Sequence, residues 1–114
     1  MTKKRVILEM GAGNDLHGGD YTKAACRAVQ DALHHSSLTM IRTLAVSTVD
    51  MYVDVTIGVP KPDQVDGNAV LATLPHGTGY IKVVQGGLEE LNEGGTDGTL
   101  IANAIVMVSF DDGN

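Results

Sequence analysis

The chain has 114 residues, the length of one domain, so we expect a single domain over residues 1–114. Eight basic against 14 acidic residues give a net charge of −6, which argues against nucleic acid and membrane surfaces as partners. The single cysteine excludes an internal disulfide. The basic residues near the start precede only five apolar residues, too few for a signal peptide, so we expect a cytoplasmic protein.

The first predicted element is a short strand. Residues 6–10 form an apolar run that stops at Gly11, as in a buried strand bounded by a turn. Residues 11–20 contain four glycines and no apolar period, which predicts a loop. Asp20 is then a suitable N-cap for a helix over residues 21–34, where alanines repeat on one face.

The middle of the chain predicts a second strand and a second helix. Residues 50–59 alternate apolar and polar side chains, which indicates a strand with one buried face. The prolines after it end the strand, and a helix is expected from Pro62 or Asp66 to Leu74. A short helical turn is also predicted at residues 39–44.

Two further strands are predicted, at residues 80–85 and 101–110, joined by a long glycine-rich connection at residues 86–99. The order β-α-β-α-β-β defines an α/β protein: a two-layer sandwich with a four-stranded sheet and two main helices on one face. The uncovered face would present Tyr52, Asp54 and Thr56, and packing such faces together predicts a homo-oligomer.

The first glycine segment lies between a strand and a helix, where dinucleotide folds bind phosphate. Gly11 and Gly13 supply G-x-G, but Leu16 stands where the third glycine belongs. Asp15 and Asp20 would also repel an anion. The segment therefore suits a cation or a neutral ligand with N–H groups better than a phosphate.

Three interpretations of Asp15, His17 and Asp20 are open. In the structural one, Asp20 caps the helix, Asp15 bonds to its own loop backbone, and His17 is a hydrogen-bonding loop residue. In the second, His17 and Asp15 are acid/base or substrate-binding groups. In the third, they bind a metal ion, for which Asp-x-His is a weak signal.

The second glycine segment, residues 93–98, contains Thr96, Asp97 and Gly98. It is either an exposed turn or part of a site, and the length of the connection favours a site. Cys26 is expected to pack in the first helix. Glu89 and Glu90 are expected to form a solvated patch.

Residues 11–18 read G-A-G-N-D-L-H-G. This stretch resembles the signature G-x-G-x-D-x-H-G of an uncharacterised family of conserved hypothetical proteins from bacteria and plants. Residues 55–60, 74–77 and 95–103 also resemble that family, so the likeness covers nearly the whole chain. It brings no known activity.

Residues 19–22 and 93–98 are distantly similar to one repeat of the ring-opening amidohydrolases, the cyanuric acid hydrolase and barbiturase group. In that group three similar repeats surround one active site, and Ser-Lys pairs supply the nucleophile. Glu93 stands where the serine would be, and the first strand has no matching lysine. The resemblance therefore implies architecture alone: a single-repeat chain assembled as a trimer or ring.

These patterns predict a homo-oligomer with a small-molecule site at the subunit interface. The substrate-binding groups would be Gly11, Gly13, Asp20, Thr96, Asp97 and Gly98. If the protein is an enzyme, His17 is the general acid/base, Asp15 orients it, and backbone amides of residues 94–98 hold a carbonyl oxygen. Hydrolysis or isomerisation of a cyclic amide or similar polar compound is the expected reaction class. The alternative is a non-catalytic metal-binding, metabolite-binding or scaffold protein, and the sequence identifies no cofactor.

Overall fold

A computed structural model describes residues 3–16, 19–35, 51–74, 77–95 and 97–111. These residues form a mixed α/β fold with five strands, two α-helices and one 3-10 turn. The strands are β1 (Lys3–Asp15), β2 (Met51–Val59), β3 (Thr78–Gln85), β4 (Leu88–Leu91) and β5 (Gly98–Asp111); the helices are α1 (Tyr21–His35) and α2 (Gly67–Leu71), and the 3-10 turn is Pro62–Gln64. The turn predicted at residues 39–44 lies outside the described residues.

The five strands form one sheet with β5 at its centre. The order is β1-β5-β2-β3, and β4 pairs with the first residues of β5. Strand β5 is antiparallel to β1, β2 and β4, whereas β2 and β3 are parallel. Strands β2 and β4 share one edge of β5, since β2 pairs with residues 103–110 and β4 with residues 98–101.

The core lies on one face of the sheet, beneath α1 and α2. Every second residue of β2 is buried there, as its alternating sequence predicts. Strand β5 contributes a matching buried row from Leu100 to Val108, and α1 contributes Ala24, Ala28 and Ala32. No helix in the described ranges is long and apolar enough to cross a membrane.

Strand β1 packs unusually closely against α1. A Cβ atom at Gly11 would overlap the backbone nitrogen of Ala32, and one at Gly13 would overlap the backbone nitrogen of Ala28. Because neither glycine has a side chain, the alanine face of the helix lies directly on the strand.

This packing corrects the prediction for the start of the chain. The strand does not stop at residue 10 but continues to Asp15, so the loop predicted at residues 11–20 is wrong over its first half. Gly11 and Gly13 are not among the glycines with positive φ. These glycines lack a side chain because the helix packs closely on them. In a sequence, a glycine needed for close packing looks the same as a glycine needed for a turn.

The prediction of four strands was also wrong, because β4 lies inside the connection predicted at residues 86–99. Gly86 and Gly87 move the chain from beside β2 to beside β5. The Gly86 N–H donates to the Val59 carbonyl over 2.9 Å, and Gly87 has a φ of 61° with no room for a Cβ next to the Ile101 carbonyl. A four-residue strand with two glutamates shows too little alternation to be recognised.

The second predicted helix is divided in two. Pro62 opens only the 3-10 turn. Asp66 is the N-cap of α2, where its Oδ1 accepts from the Ala69 N–H over 3.2 Å. Both residues considered as helix starts therefore begin a helical segment, and each segment is short.

The sheet face opposite the helices carries apolar side chains. Leu8, Met10, Tyr80, Val84 and Ile105 are exposed there. Tyr52, Asp54 and Thr56 project from β2 on this face, and the Tyr52 and Tyr80 rings stack with centroids 6.5 Å apart. We call this surface the open face.

Side chains of α1 also cover part of the outer edge of β1. The Ala12 N–H donates to Asp31 Oδ2 over 2.9 Å, and Arg27 Nη1 donates to the Asn14 carbonyl over 2.7 Å. Two main-chain groups that a further strand would use are therefore engaged by the helix of the same chain.

Gly13→Ala is expected to lower the free energy of unfolding by about 1–3 kcal/mol or more, because the added methyl group forces α1 off β1. Urea denaturation measures the change. Asn14→Ala is the matched control, since its side chain is exposed on the same strand, and it should change the free energy by less than about 0.5 kcal/mol. Equal denaturation midpoints for the two variants would contradict the packing argument.

Candidate functional site

Asp15 anchors the end of β1. Its side chain is only 5% exposed. Its Oδ2 accepts from the Asp20 N–H over 2.9 Å, and its Oδ1 lies 3.8 Å from Arg27 Nη1. A buried carboxylate is stabilised by such a charge-assisted hydrogen bond and a nearby guanidinium, so Asp15 holds the start of α1 against the end of β1.

Asp20 is the N-cap of α1. Its Oδ1 accepts from the Lys23 N–H over 3.0 Å, which satisfies one of the free amides of the first helical turn. Thr22 Oγ1 accepts from the Asp66 N–H over 2.9 Å and links the starts of the two helices. The structural interpretation is confirmed for Asp20 as a cap and for Asp15 as an acceptor from the neighbouring backbone.

Tyr21 and Glu89 form a second link to the start of α1. Tyr21 is 4% exposed, and its hydroxyl donates to Glu89 Oε1 over 2.7 Å. Burial, followed by the hydrogen bond and the charge of Glu89, raises the pKa of Tyr21 to about 12. The pair ties β4 to the first turn of α1.

Glu89 has a structural role, as the acceptor of the Tyr21 hydrogen bond, that the sequence did not predict. The predicted solvated patch holds for Glu90, which is exposed, but not for the half-buried Glu89, because the two side chains point to opposite faces of β4. Only recognition of β4 as a strand could have separated their environments.

The second glycine segment joins β4 to β5 as a hairpin turn. The Asn92 N–H donates to the Asp97 carbonyl over 2.7 Å, and the Gly95 N–H donates to the Asn92 carbonyl over 2.9 Å. Asp97 Oδ1 accepts from the Gly98 N–H over 2.9 Å. The amides of Gly95 and Gly98 are therefore used within the turn, so they are not assigned to a carbonyl oxygen of a substrate.

The two glycine segments meet at a cleft of about 340 Å³. Leu16 contributes from the end of the first segment, and the other lining residues come from β4, the hairpin turn and the start of β5: Glu90, Leu91, Asn92, Asp97, Gly98 and Thr99. The cleft combines carboxylate, amide and hydroxyl groups with two leucines that are more than half exposed.

The predicted site residues are distributed around this cleft. Asp97 and Gly98 line it, whereas Gly11 and Gly13 lie under α1 and are assigned to packing. Asp15 pairs with Leu100 at the adjoining end of the sheet and, with Asp20, faces the helix. His17 and Thr96 lie outside the described residues, although His17 directly follows Leu16 in the chain.

Neither a metal centre nor a reactive thiol is found among the described residues. Within those ranges no group of three or more His, Cys, Asp or Glu side chains is arranged to hold a metal ion. Burial and, secondarily, the charge of Asp20 raise the pKa of Cys26, which disfavours the thiolate. Cys26 packs against the core from α1, as expected.

The fold and cleft define a small mixed α/β protein, and comparison with known proteins identifies its family. The chain belongs to the family of conserved hypothetical proteins called Lin0512_fam, which matches residues 5–108. It is similar to an FtsZ-like protein of unknown function from Nostoc punctiforme, at 38% identity, with 98% of this chain and 99% of that chain covered and a TM-score of 0.84. Comparison with curated proteins gave no match.

The Tyr21–Glu89 pair predicts a loss of stability at high pH. The pKa of Tyr21 in the folded protein, about 12, exceeds the ordinary value of 10.0. The stability that this difference contributes is fully present below the unfolded pKa and is lost as the pH rises through the folded pKa. From about pH 9 to about pH 11.5, the wild-type protein should lose up to about 2 kcal/mol relative to Tyr21→Phe, and less where solvent screens the pair.

Urea denaturation at several pH values measures this loss. Glu89→Gln should reduce the pH dependence of the wild type, because it removes the charge of Glu89 that helps to raise the pKa of Tyr21. Identical pH dependence in the wild type and Tyr21→Phe would refute the assignment.

Proposed function

We propose that the protein is a homo-oligomer that binds a small polar molecule in the cleft between the two glycine segments, next to a subunit boundary. The proposal rests on one observation: Leu16, Asp97 and Gly98 line the same cleft. Leu16 lies about eighty residues before the other two in the chain. Small-molecule sites are typically concave and combine apolar walls with a few polar groups.

The lining chemistry indicates the class of ligand. Asn92 and Thr99 offer hydrogen-bonding groups, while Glu90 and Asp97 favour a ligand that presents N–H groups or positive charge. The same carboxylates disfavour phosphates and other anions. A neutral cyclic amide, with N–H and C=O groups on one small ring, fits these demands.

For a catalytic protein, we assign proton transfer to His17. Its ordinary pKa of about 6.5 suits general acid/base chemistry near neutral pH, and its neighbour Leu16 lines the cleft. Asp15 supplies the buried negative charge beside this segment and would orient the imidazole; Thr96 and Asp97 would bind the substrate. The reaction proposed is hydrolysis or isomerisation of a cyclic amide or similar polar compound.

A non-catalytic binding or scaffold protein is the second candidate. It is favoured by the internal hydrogen bonds of Asp15, Asp20 and the Gly95 and Gly98 amides, which account for these groups without a substrate. The Nostoc relative is itself described as being of unknown function, so it supplies no activity to transfer.

The first experiment screens small cyclic amides and imides by thermal shift, because a ligand of the folded state raises the apparent melting temperature. A compound that stabilises the wild type should lose its effect in Asp97→Asn. If the protein is catalytic, turnover of that compound should be abolished in His17→Ala, with the assembly unchanged in size.

His34→Ala is the matched control, since His34 is exposed near the end of α1; it should retain both binding and turnover. Full turnover by His17→Ala would remove the proposed mechanism. Binding undiminished in Asp97→Asn would place the ligand elsewhere.

The second candidate includes a protein that binds a metal cation, and this possibility is tested separately with Mg²⁺, Mn²⁺, Zn²⁺ and EDTA. A site that includes His17 and Asp15 should give a stabilising shift with one of these metals, reversed by EDTA and absent in His17→Ala. No shift with any of them would reject this cation site.

A further inference from the structure

The open face has a protruding side and a recessed side. On β1, Leu8 is 49% exposed and Met10 is 67% exposed, so both side chains stand out from the sheet. Leu8 and Met10 pair with Met107 and Ile105 of β5, respectively. Strand β5 pairs with β2 on its other side. The opposite side of the face is formed by β2 and β3.

A hollow of about 210 Å³ lies on the recessed side and extends to β5, where Asn103, Ala104 and Ile105 line it. Gly58 and Gly86, whose lack of side chains leaves the floor of the hollow bare, are among its lining residues, and a Cβ on Gly86 would lie only 3.2 Å from the Gly58 Cα. Thr56, Val84, Asn103 and Ile105 are among the groups around it. Because the floor has no side chains, the hollow has room for an apolar side chain from outside the chain.

We infer that a second copy of this chain covers the open face and that Met10 of one copy occupies the hollow of the next. The inference rests on the proposed homo-oligomer and names its contact surface. The hollow lies next to Met10, because Ile105, the partner of Met10 on β5, lines it, so each copy can give and receive the same contact. Such a contact closes about a twofold axis or in a ring.

Charge favours a second copy as the occupant. The chain carries a net charge of −6, so most pairings of its surfaces bring acidic groups together. On the open face, the three rows that start at Leu8, Met10 and Ala12 contain one acid and one base, Asp54 and Lys82. This part of the surface therefore approaches its own copy without net repulsion.

The size of the face is also sufficient. Four strands about 4.8 Å apart and about 27 Å long cover roughly 500 Å², so two faces remove roughly 1,000 Å² or more from water. Specific interfaces begin at about that total area. Leu8, Met10, Tyr80, Val84 and Ile105 contribute exposed apolar side chains within this area.

Disulfide trapping tests the contact. In a Cys26→Ser background, Met10→Cys and Val84→Cys are combined in one chain. Strands β1 and β3 are separated by β5 and β2, roughly 14 Å at the usual strand spacing, whereas bonded cysteines need Cα atoms within about 7 Å. Any disulfide must therefore join two chains.

Mild oxidation should give a covalent dimer or a closed ring, and their sizes distinguish twofold from ring closure. The control combines Met10→Cys with Gln30→Cys, which is exposed on α1 and should give at least tenfold less cross-linked product. Thr56→Trp, which fills the hollow from a half-buried position on the sheet, should weaken assembly at least tenfold and leave the circular dichroism spectrum unchanged.

Light scattering of the wild type separates the two proposals. A monomer at high concentration would overturn both the homo-oligomer and this contact. An oligomer that is neither trapped by the Met10→Cys and Val84→Cys pair nor weakened by Thr56→Trp would overturn the contact alone. In that case the small-molecule site would remain to be tested at another interface.

Discussion

The contact between the glycines of β1 and the alanine face of α1 is the constraint on which the rest of the site depends. Gly11 and Gly13 allow the helix backbone to lie where a β-carbon would otherwise stand. The helix axis is therefore fixed close to the strand, and its first turn arrives beside Asp15. A larger residue at either glycine would move the helix and, with it, every group that the first turn positions.

Two buried polar contacts then join the glycine segments to this helix. Asp15 binds the Asp20 amide, and Tyr21 binds Glu89 on β4. Buried polar groups are costly unless they are paired, so these contacts specify one arrangement of β1, α1 and β4. The cleft between Leu16 and Asp97 depends on that arrangement together with the hydrogen bonds of the hairpin turn.

Regular patterns were predictable from the sequence, and irregular ones were not. The alternation in β2 and the cap at Asp20 were identified because each repeats a local rule. The continuation of β1 through Gly11 and Gly13 was missed because its reason lies in a helix that is distant in the chain. Strand β4 was missed because its pairing with β5, not its own four residues, makes it a strand. For the site, Asp97 and Gly98 line the cleft with Leu16, while the Tyr21–Glu89 pair depended on the missed strand.

Asp31 and Arg27 have a consequence beyond the fold. By engaging the Ala12 amide and the Asn14 carbonyl, they occupy hydrogen-bonding groups with which a foreign strand would extend the sheet sideways. The addition of further strands, which would lead to fibrils, is therefore obstructed along that stretch of the sheet edge. The molecule can expose the apolar open face with a lower tendency to form fibrils.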